Sequence, residues 1–253
     1  MRARAAFAVI AAAVLVSGCG RSIGEGQRSV AGDDAKSAVS SATAQMVAAK
    51  TAKVSIATTT TIKGAPVAYT MTGVMSVDGL EADVSGKLPK GTIPNVPVEL
   101  TMRVISYHGT DYYHYAAPGL PDQWFKSVHV EGGAGPGGAD AQLRALNAID
   151  DLAKVGPEKV RGVETTHYTG TLNPSGAAEA VRSMGGKPSG TVVVPVDVWI
   201  DGRGRVFRQR ESVDPGPGGF QGPTTLTVDF LSWGVPITIV PPKNAQDIST
   251  LTG

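Results

Sequence analysis

Val192-Val193-Val194-Pro195-Val196-Asp197-Val198-Trp199-Ile200-Asp201-Gly202 is the stretch on which the reading of the fold turns. Val192, Val194, Val196, Val198 and Ile200 recur at every second position, the period of a strand that buries one face. Asp201-Gly202 then supplies a tight-turn pair, and Arg205 to Val213 returns alongside, so the segment predicts an antiparallel hairpin. Further on, Leu226, Val228 and Phe230 repeat the same period and mark a last long strand.

Toward the N-terminus the period recurs. Val67, Tyr69, Met71, Met75 and Val77 share one face of a strand, and Asp78-Gly79 turns it into Leu80 to Leu88. Val98, Leu100, Met102 and Val104 oppose Glu99, Thr101 and Arg103, while Lys53 to Lys63, Tyr112 to Ala116, Trp124 to Val130 and Gly162 to Leu172 read as further strands. Three segments carry a helical period instead. One begins near Ala35 behind Asp33 and Asp34, with Ala38, Ala42, Gln45, Met46, Ala49 and Ala52 on its face. A second follows Asp140, with Leu143, Leu146, Ile149, Leu152 and Ala153 as its stripe, and stops at Gly156-Pro157. The third opens at Asn173-Pro174 and ends at Gly185-Gly186. About ten strands, joined mostly by turns that reverse the chain, and three helices predict an α+β domain.

The 253 residues are enough for one such domain with a sizeable core. With 42% apolar and 18% charged residues the composition is globular, and 32 Gly and 17 Pro fit many turns. Residues 1–18 read as an export signal: Arg2 and Arg4 precede an apolar run from Ala5 to Val16, too short to span a bilayer, which needs about 20 residues. Leu15-Val16-Ser17-Gly18-Cys19 follows and resembles the lipobox of bacterial lipoproteins. Cys19 is the only cysteine in the chain. It can form no internal disulfide, and lipidation explains it better than an incidental Cys after an ordinary signal; a diacylglycerol supplies the two chains that stable anchoring requires. Residues 19–34, polar and Gly-rich, read as a flexible tether with a reach of roughly 20 Å, and residues 35–253 as the folded domain. Loss of Arg2 and Arg4 from 23 basic residues leaves 21 against 22 acidic ones, and so nearly neutral a chain without basic clusters argues against a nucleic-acid partner.

Two phrases carry a family likeness: Arg161-Gly162-Val163-Glu164-Thr165-Thr166-His167-Tyr168, and Val194 to Asp201 with its turn into Arg205 to Glu211. With the order helix, six strands, helix, strand, helix, three strands over Ala35 to Val240, the chain resembles the LolA-like fold and the LppX/LprG group of exported lipoproteins. That resemblance implies a strongly curved, mostly antiparallel open sheet, a half-barrel, with helices covering its concave face and an apolar cavity for lipid acyl chains. The candidate lining is Met71, Met75, Leu100, Met102, Val104, Val194, Val196, Val198, Ile200, Leu226, Val228 and Phe230. Methionine suits an adaptable pocket. The same residues also read simply as core beneath the helices. The implied function is binding and transfer of lipid or lipoglycan acyl chains at the extracytoplasmic face of the cell membrane, with an envelope transporter or acceptor protein as partner. An envelope sensor or interaction lipoprotein that binds a partner protein through the same fold is the competing reading.

Other residues attract attention and are given plainer explanations. His108, Asp111 and His114 flank a turn, yet no further ligand is evident nearby, and no metal site is expected. His129 and His167 each stand alone on strands. Tyr107, Tyr112, Tyr113 and Tyr115 offer a surface for a lipid headgroup or a sugar, although strand propensity alone accounts for them. Gly132 to Gly138 and Gly216 to Gly219 lack the Lys-Ser/Thr ending of a phosphate loop. No nucleophile elbow, paired-Cys motif or zinc-protease signature is present, so neither enzymatic activity nor a cofactor is expected.

Overall fold

A computed structural model of the chain describes residues 26–62, 64–93, 96–128, 139–183, 190–214 and 222–248. The export signal, Cys19, His129 and the Gly132 to Gly138 loop lie outside these, as do Gly185-Gly186 and Gly216 to Gly219. Helix α1 (Gly26–Ala49) leads into a six-strand meander: β1 (Thr51–Ile62), β2 (Ala65–Ser76), β3 (Glu81–Leu88), β4 (Leu100–Tyr107), β5 (Thr110–Ala116) and β6 (Trp124–Val128). Helix α2 (Ala139–Asn147), β7 (Ile149–Val160), β8 (Val163–Leu172) and α3 (Pro174–Ser183) follow. The chain then runs through β9 (Pro195–Asp201), β10 (Val206–Val213), β11 (Thr224–Trp233) and a short β12 (Ala245–Asp247). All twelve strands form one open sheet in the order β12-β6-β5-β4-β3-β2-β1-β11-β10-β9-β8-β7. It is two meanders joined where β1 pairs antiparallel with β11, and β12 on β6 is the parallel pairing.

Register carries the alternation across the whole sheet. One rung passes through Tyr168, Val198, Gln209, Val228, Ile56, Met71, Gly86, Met102 and Tyr115. The next passes through Phe230, Val54, Gly73, Val84, Val104, Tyr113 and Phe125. The apolar members of these rungs from β8 to β4 share one core with Ala35, Val39, Ala42 and Met46 of α1, Ala145 and Leu146 of α2, and Ala177 and Val181 of α3, so the helices sit on this concave side. Small residues at the first and third of those α1 positions let the helix lie close to the strands. It rests on β7, β9, β10 and α2, over one half of the sheet.

Glycine on the concave side sets the bend. A Cβ on Gly73 would run into the Asp83 carbonyl oxygen and come within 2.7 Å of the Val84 Cα; one on Gly86 would meet the Thr70 carbonyl oxygen and lie 3.0 Å from the Met71 Cα. In a flat ladder a side chain stands clear of the neighbouring backbone. Here β2 and β3 fold together so sharply that backbone occupies the space a side chain would need.

Three expectations are corrected. The first helix starts at Gly26, well before Ala35, so residues 26–34 of the expected tether are helical, and its sheet-facing residues are Ala35, Val39, Ala42 and Met46. The second helix stops at Asn147; Ile149, Leu152 and Ala153 belong to β7, which contains Gly156 and Pro157 rather than ending before them. The register of β7 on β8 slips between Asp150 and Ala153 and again between Lys154 and Gly156, so its apolar residues lose the two-residue period and imitate a helical one. Asp151 adopts a left-handed backbone (φ 52°) at the first slip, and Pro157 is tolerated because β7 is an edge strand. The described residues hold twelve strands where about ten were expected, the additional ones being β7 and the three-residue β12.

Candidate functional site

The concave wall is where the expected lining residues fall. Met71, Met75, Leu100, Val194, Val196, Val198, Ile200, Leu226, Val228 and Phe230 are buried, and Met102 and Val104 are half-buried. All except Leu100 belong to the main apolar core or pack against it; Leu100 instead pairs with Leu88 at the far end of β3 and β4. The half-buried pair lies on the rungs of Tyr115 and Tyr113, toward the sheet half that α1 does not cover. Burial raises the hydroxyl pKa of both tyrosines; at Tyr113 the Asp111 carboxylate, to which it donates at 3.1 Å, adds to the effect.

A carboxamide and a carboxyl interrupt this wall beside Val196, Val198, Leu226 and Val228, and the sequence reading passed over them. Gln209 (0% exposed) and Glu211 (8% exposed) occupy successive concave positions of β10, the first between Val198 and Val228, the second between Val196 and Leu226. Gln209 Nε2 donates to Glu211 Oε1 at 2.8 Å and, at 3.4 Å, to the backbone oxygen of Gln142 in α2. Gln209 Oε1 has no hydrogen-bond partner among the described residues. Burial pushes the Glu211 carboxyl up to about 7, against the opposing effect of the Gln209 bond. The one available signal was alternation: Arg208 and Arg210 face out, so Gln209 and Glu211 must face in.

On the convex side the two phrases that carry the family likeness pair directly, as β8 and β9. His167 is not alone. Its ring stacks on Trp199 (4.3 Å, 9°), its Nε2 lies 2.9 Å from Asp197 Oδ1 and its Nδ1 3.2 Å from Glu158 Oε2, which also accepts from Trp199 Nε1 at 2.8 Å. Arg210 reaches Asp197 at 2.7 Å, and Arg208 and Arg161 converge on the buried Asp229. Burial works against ionisation of Asp197, but the Arg210 and His167 bonds outweigh it and hold the carboxyl below the usual aspartate range. Asp201 is lowered in the same way, its burial overcome by the Arg205 side chain and by backbone N–H groups of Arg205 and Arg203. A group depressed on folding stabilises fully above its unfolded value and loses that contribution as pH falls through the folded one. Asp197→Asn is therefore expected to cost about 1–2 kcal/mol at neutral pH, and its thermal midpoint, followed by circular dichroism, should fall less than that of the parent chain below about pH 4.

His108, Asp111 and His114 do not meet. His108 approaches Glu81 at 3.7 Å, and His114 binds Asp122 at 2.7 Å against the Trp124 ring. Asp111 shares the concave side with Tyr113, three residues of strand and hence one face away from His114. No cluster suited to a metal exists among the described residues.

The sheet order, the helical cover and the apolar concave side define the architecture of the LppX/LprG-type lipoproteins, as the resemblance implied. The match is to LprF from Mycobacterium bovis (TM-score 0.53, 14% identity, 83% of this chain and 97% of that one). It extends to the lipoprotein LppX of Mycobacterium tuberculosis (TM-score 0.51, 15% identity, 82% and 99%). In sequence the chain is 25% identical over 116 residues to an uncharacterised 31.2 kDa protein of Streptomyces griseus. It is 29% identical over 101 residues to a candidate lipoprotein of Streptomyces coelicolor. These matches take in 37% and 30% of the relatives' lengths, and 42% and 35% of this chain. No protein-family model matches. Among the described residues no helix is long and apolar enough to cross a membrane.

Proposed function

We propose that the chain is an extracytoplasmic lipoprotein, anchored through Cys19, that takes lipid acyl chains against the concave side of its sheet and carries them between membranes or partner proteins of the envelope. The observation that supports this reading is one apolar core on the helix-bearing side of an open sheet, which takes in or touches every candidate lining residue except Leu100, with helical cover concentrated over one half. Energetics shape the mechanism. Burial of about 30 acyl CH₂ groups at about 0.8 kcal/mol each favours the protein over water by on the order of 20 kcal/mol, close to the limit of non-covalent affinity. Such a carrier cannot release its cargo into water at a useful rate. It exchanges lipid between apolar phases, and a short tether keeps the open side of the sheet beside the donor membrane.

Organic extraction of the purified full chain followed by mass spectrometry is expected to yield stoichiometric lipid, and the delipidated protein should take up a fluorescent acyl probe. Neither extractable lipid nor probe uptake would leave the carrier reading without support. For the anchor, Cys19→Ser is expected to move the exported protein from the membrane pellet to the soluble fraction, as read by fractionation and immunoblot. Unchanged sedimentation would mean that something other than acylation holds it.

A further inference from the structure

On the concave wall, Gln209 and Glu211 are the anomaly. Every neighbour of theirs on the two rungs, Val196, Val198, Leu226 and Val228, is apolar and buried. A carboxyl and a carboxamide placed among them cost several kcal/mol unless their hydrogen-bonding capacity is filled. It is not filled from within: Gln209 spends its Nε2 on Glu211 and on the Gln142 backbone, and its Oε1, on a side chain 0% exposed, has no partner among the described residues. An orphaned acceptor in an apolar wall contributes nothing to stability, and a Met or Leu there would pack without penalty. The position, in the half of the sheet that α1 and α2 cover and facing the Gln142 backbone, instead offers a donor-seeking oxygen to a ligand that enters between helix and wall.

We propose that Gln209 and Glu211 form a polar subsite in the lipid-bearing wall that accepts a hydrogen bond from a hydroxyl carried on an otherwise apolar ligand, so that the protein selects hydroxylated over plain acyl chains. The proposal rests on the carrier reading above. An apolar wall alone distinguishes lipids by chain volume, and a hydroxyl entering it loses its water partners without return. A wall with one unfilled acceptor reverses that preference, because the ligand's donor and the protein's acceptor satisfy each other. Glu211 supports the arrangement by accepting from Gln209 Nε2, which fixes the amide so that its oxygen faces away from the carboxyl. The carboxyl's pKa near 7 allows its neutral form to serve without bringing a full charge into the wall.

The test uses the full exported chain carrying Cys19→Ser, delipidated, with displacement of a fluorescent fatty-acyl probe by methyl octadecanoate and by a set of its mono-hydroxylated isomers. At least one isomer is expected to compete about tenfold better than the parent ester, the equivalent of one well-placed hydrogen bond. Gln209→Met, which keeps the volume and removes the acceptor, is expected to abolish that preference, read as the ratio of hydroxylated to parent ester within the variant itself. A melting curve checks that this variant is folded, and the comparison among isomers in the parent chain does not depend on it. Equal binding of every ester by the parent chain, or a preference that survives Gln209→Met and so points to a buried water on Oε1, overturns the subsite and leaves the carrier intact. Failure of all esters to compete, with no uptake of the probe, removes the carrier and the subsite together.

Discussion

Gly73→Ala is expected to cost about 3 kcal/mol and to lower the thermal midpoint by roughly 6–12 °C, a large share of the 5–15 kcal/mol that holds a typical domain folded. The methyl group would stand where the Asp83 carbonyl oxygen and the Val84 Cα now lie, and neither is the end of a flexible side chain that could swing aside. Only separation of β2 from β3 relieves the clash, which flattens the sheet at its sharpest bend and pulls Val84 and Val104 away from the core rung they share with Phe230 and Val54. Gly86→Ala meets the Thr70 carbonyl oxygen from the opposite strand of the same pair and is expected to have a similar effect. Because one separation of β2 and β3 relieves both clashes, the double variant should lose clearly less than the sum of the two single losses. Thr72→Ala, on the exposed face of the same strand, is the control and should change stability by no more than about 0.5 kcal/mol. Chemical denaturation of the four variants beside the parent chain decides the matter. Full additivity, or a loss for Gly73→Ala no greater than the control, would show that the bend does not depend on these glycines.

The fold was legible where strand periods were long and unbroken. Val196 to Ile200, Val67 to Met75 and Leu226 to Phe230 alternate cleanly, and each lies in a strand with the expected side turned inward. Asn173-Pro174 announced α3 equally well: Asn173 Oδ1 accepts the Gly176 N–H at 2.9 Å, as a helix cap should. Elsewhere the signal was corrupted or too short. Two slips of register hid β7 behind a counterfeit helical stripe, and three residues of β12 cannot carry a period at all. The candidate site was legible in its apolar part for the same reason as the strands. Its polar part was not, because Arg208-Gln209-Arg210-Glu211 is hydrophilic throughout and only the parity set by its neighbours reveals that two of the four face inward. The convex network around His167 was hidden differently, since Glu158, His167, Asp197 and Arg210 come from four strands and meet only through register.

Stability of the parent chain is expected to fall as pH rises from about 4 to about 7, by about 3 kcal/mol, and to level off above that. The sign follows from Glu211. Its carboxyl is pushed up to about 7 in the folded protein, whereas an ordinary glutamate titrates near 4 once unfolded, so across that interval the native state holds a proton that the unfolded state has released. The stabilisation is complete below the unfolded value and is lost as pH climbs through the folded one. The cause is burial alone, opposed by the Gln209 bond; no charged neighbour contributes to the shift. Glu211→Gln removes the titration while keeping an acceptor for Gln209 Nε2. It should leave stability at pH 5 little changed, raise it at pH 8 by about 3 kcal/mol, and flatten the profile between. Below about pH 4 both proteins should weaken alike, because Asp197 and Asp201, whose folded values are depressed, then lose their partners. The parent chain is thus squeezed from two sides by carboxyl groups on opposite faces of one sheet, with greatest stability between about pH 4 and 5. Urea unfolding at a series of pH values reads this directly, and a parent profile that is flat between pH 5 and 8 would contradict a buried, upshifted Glu211.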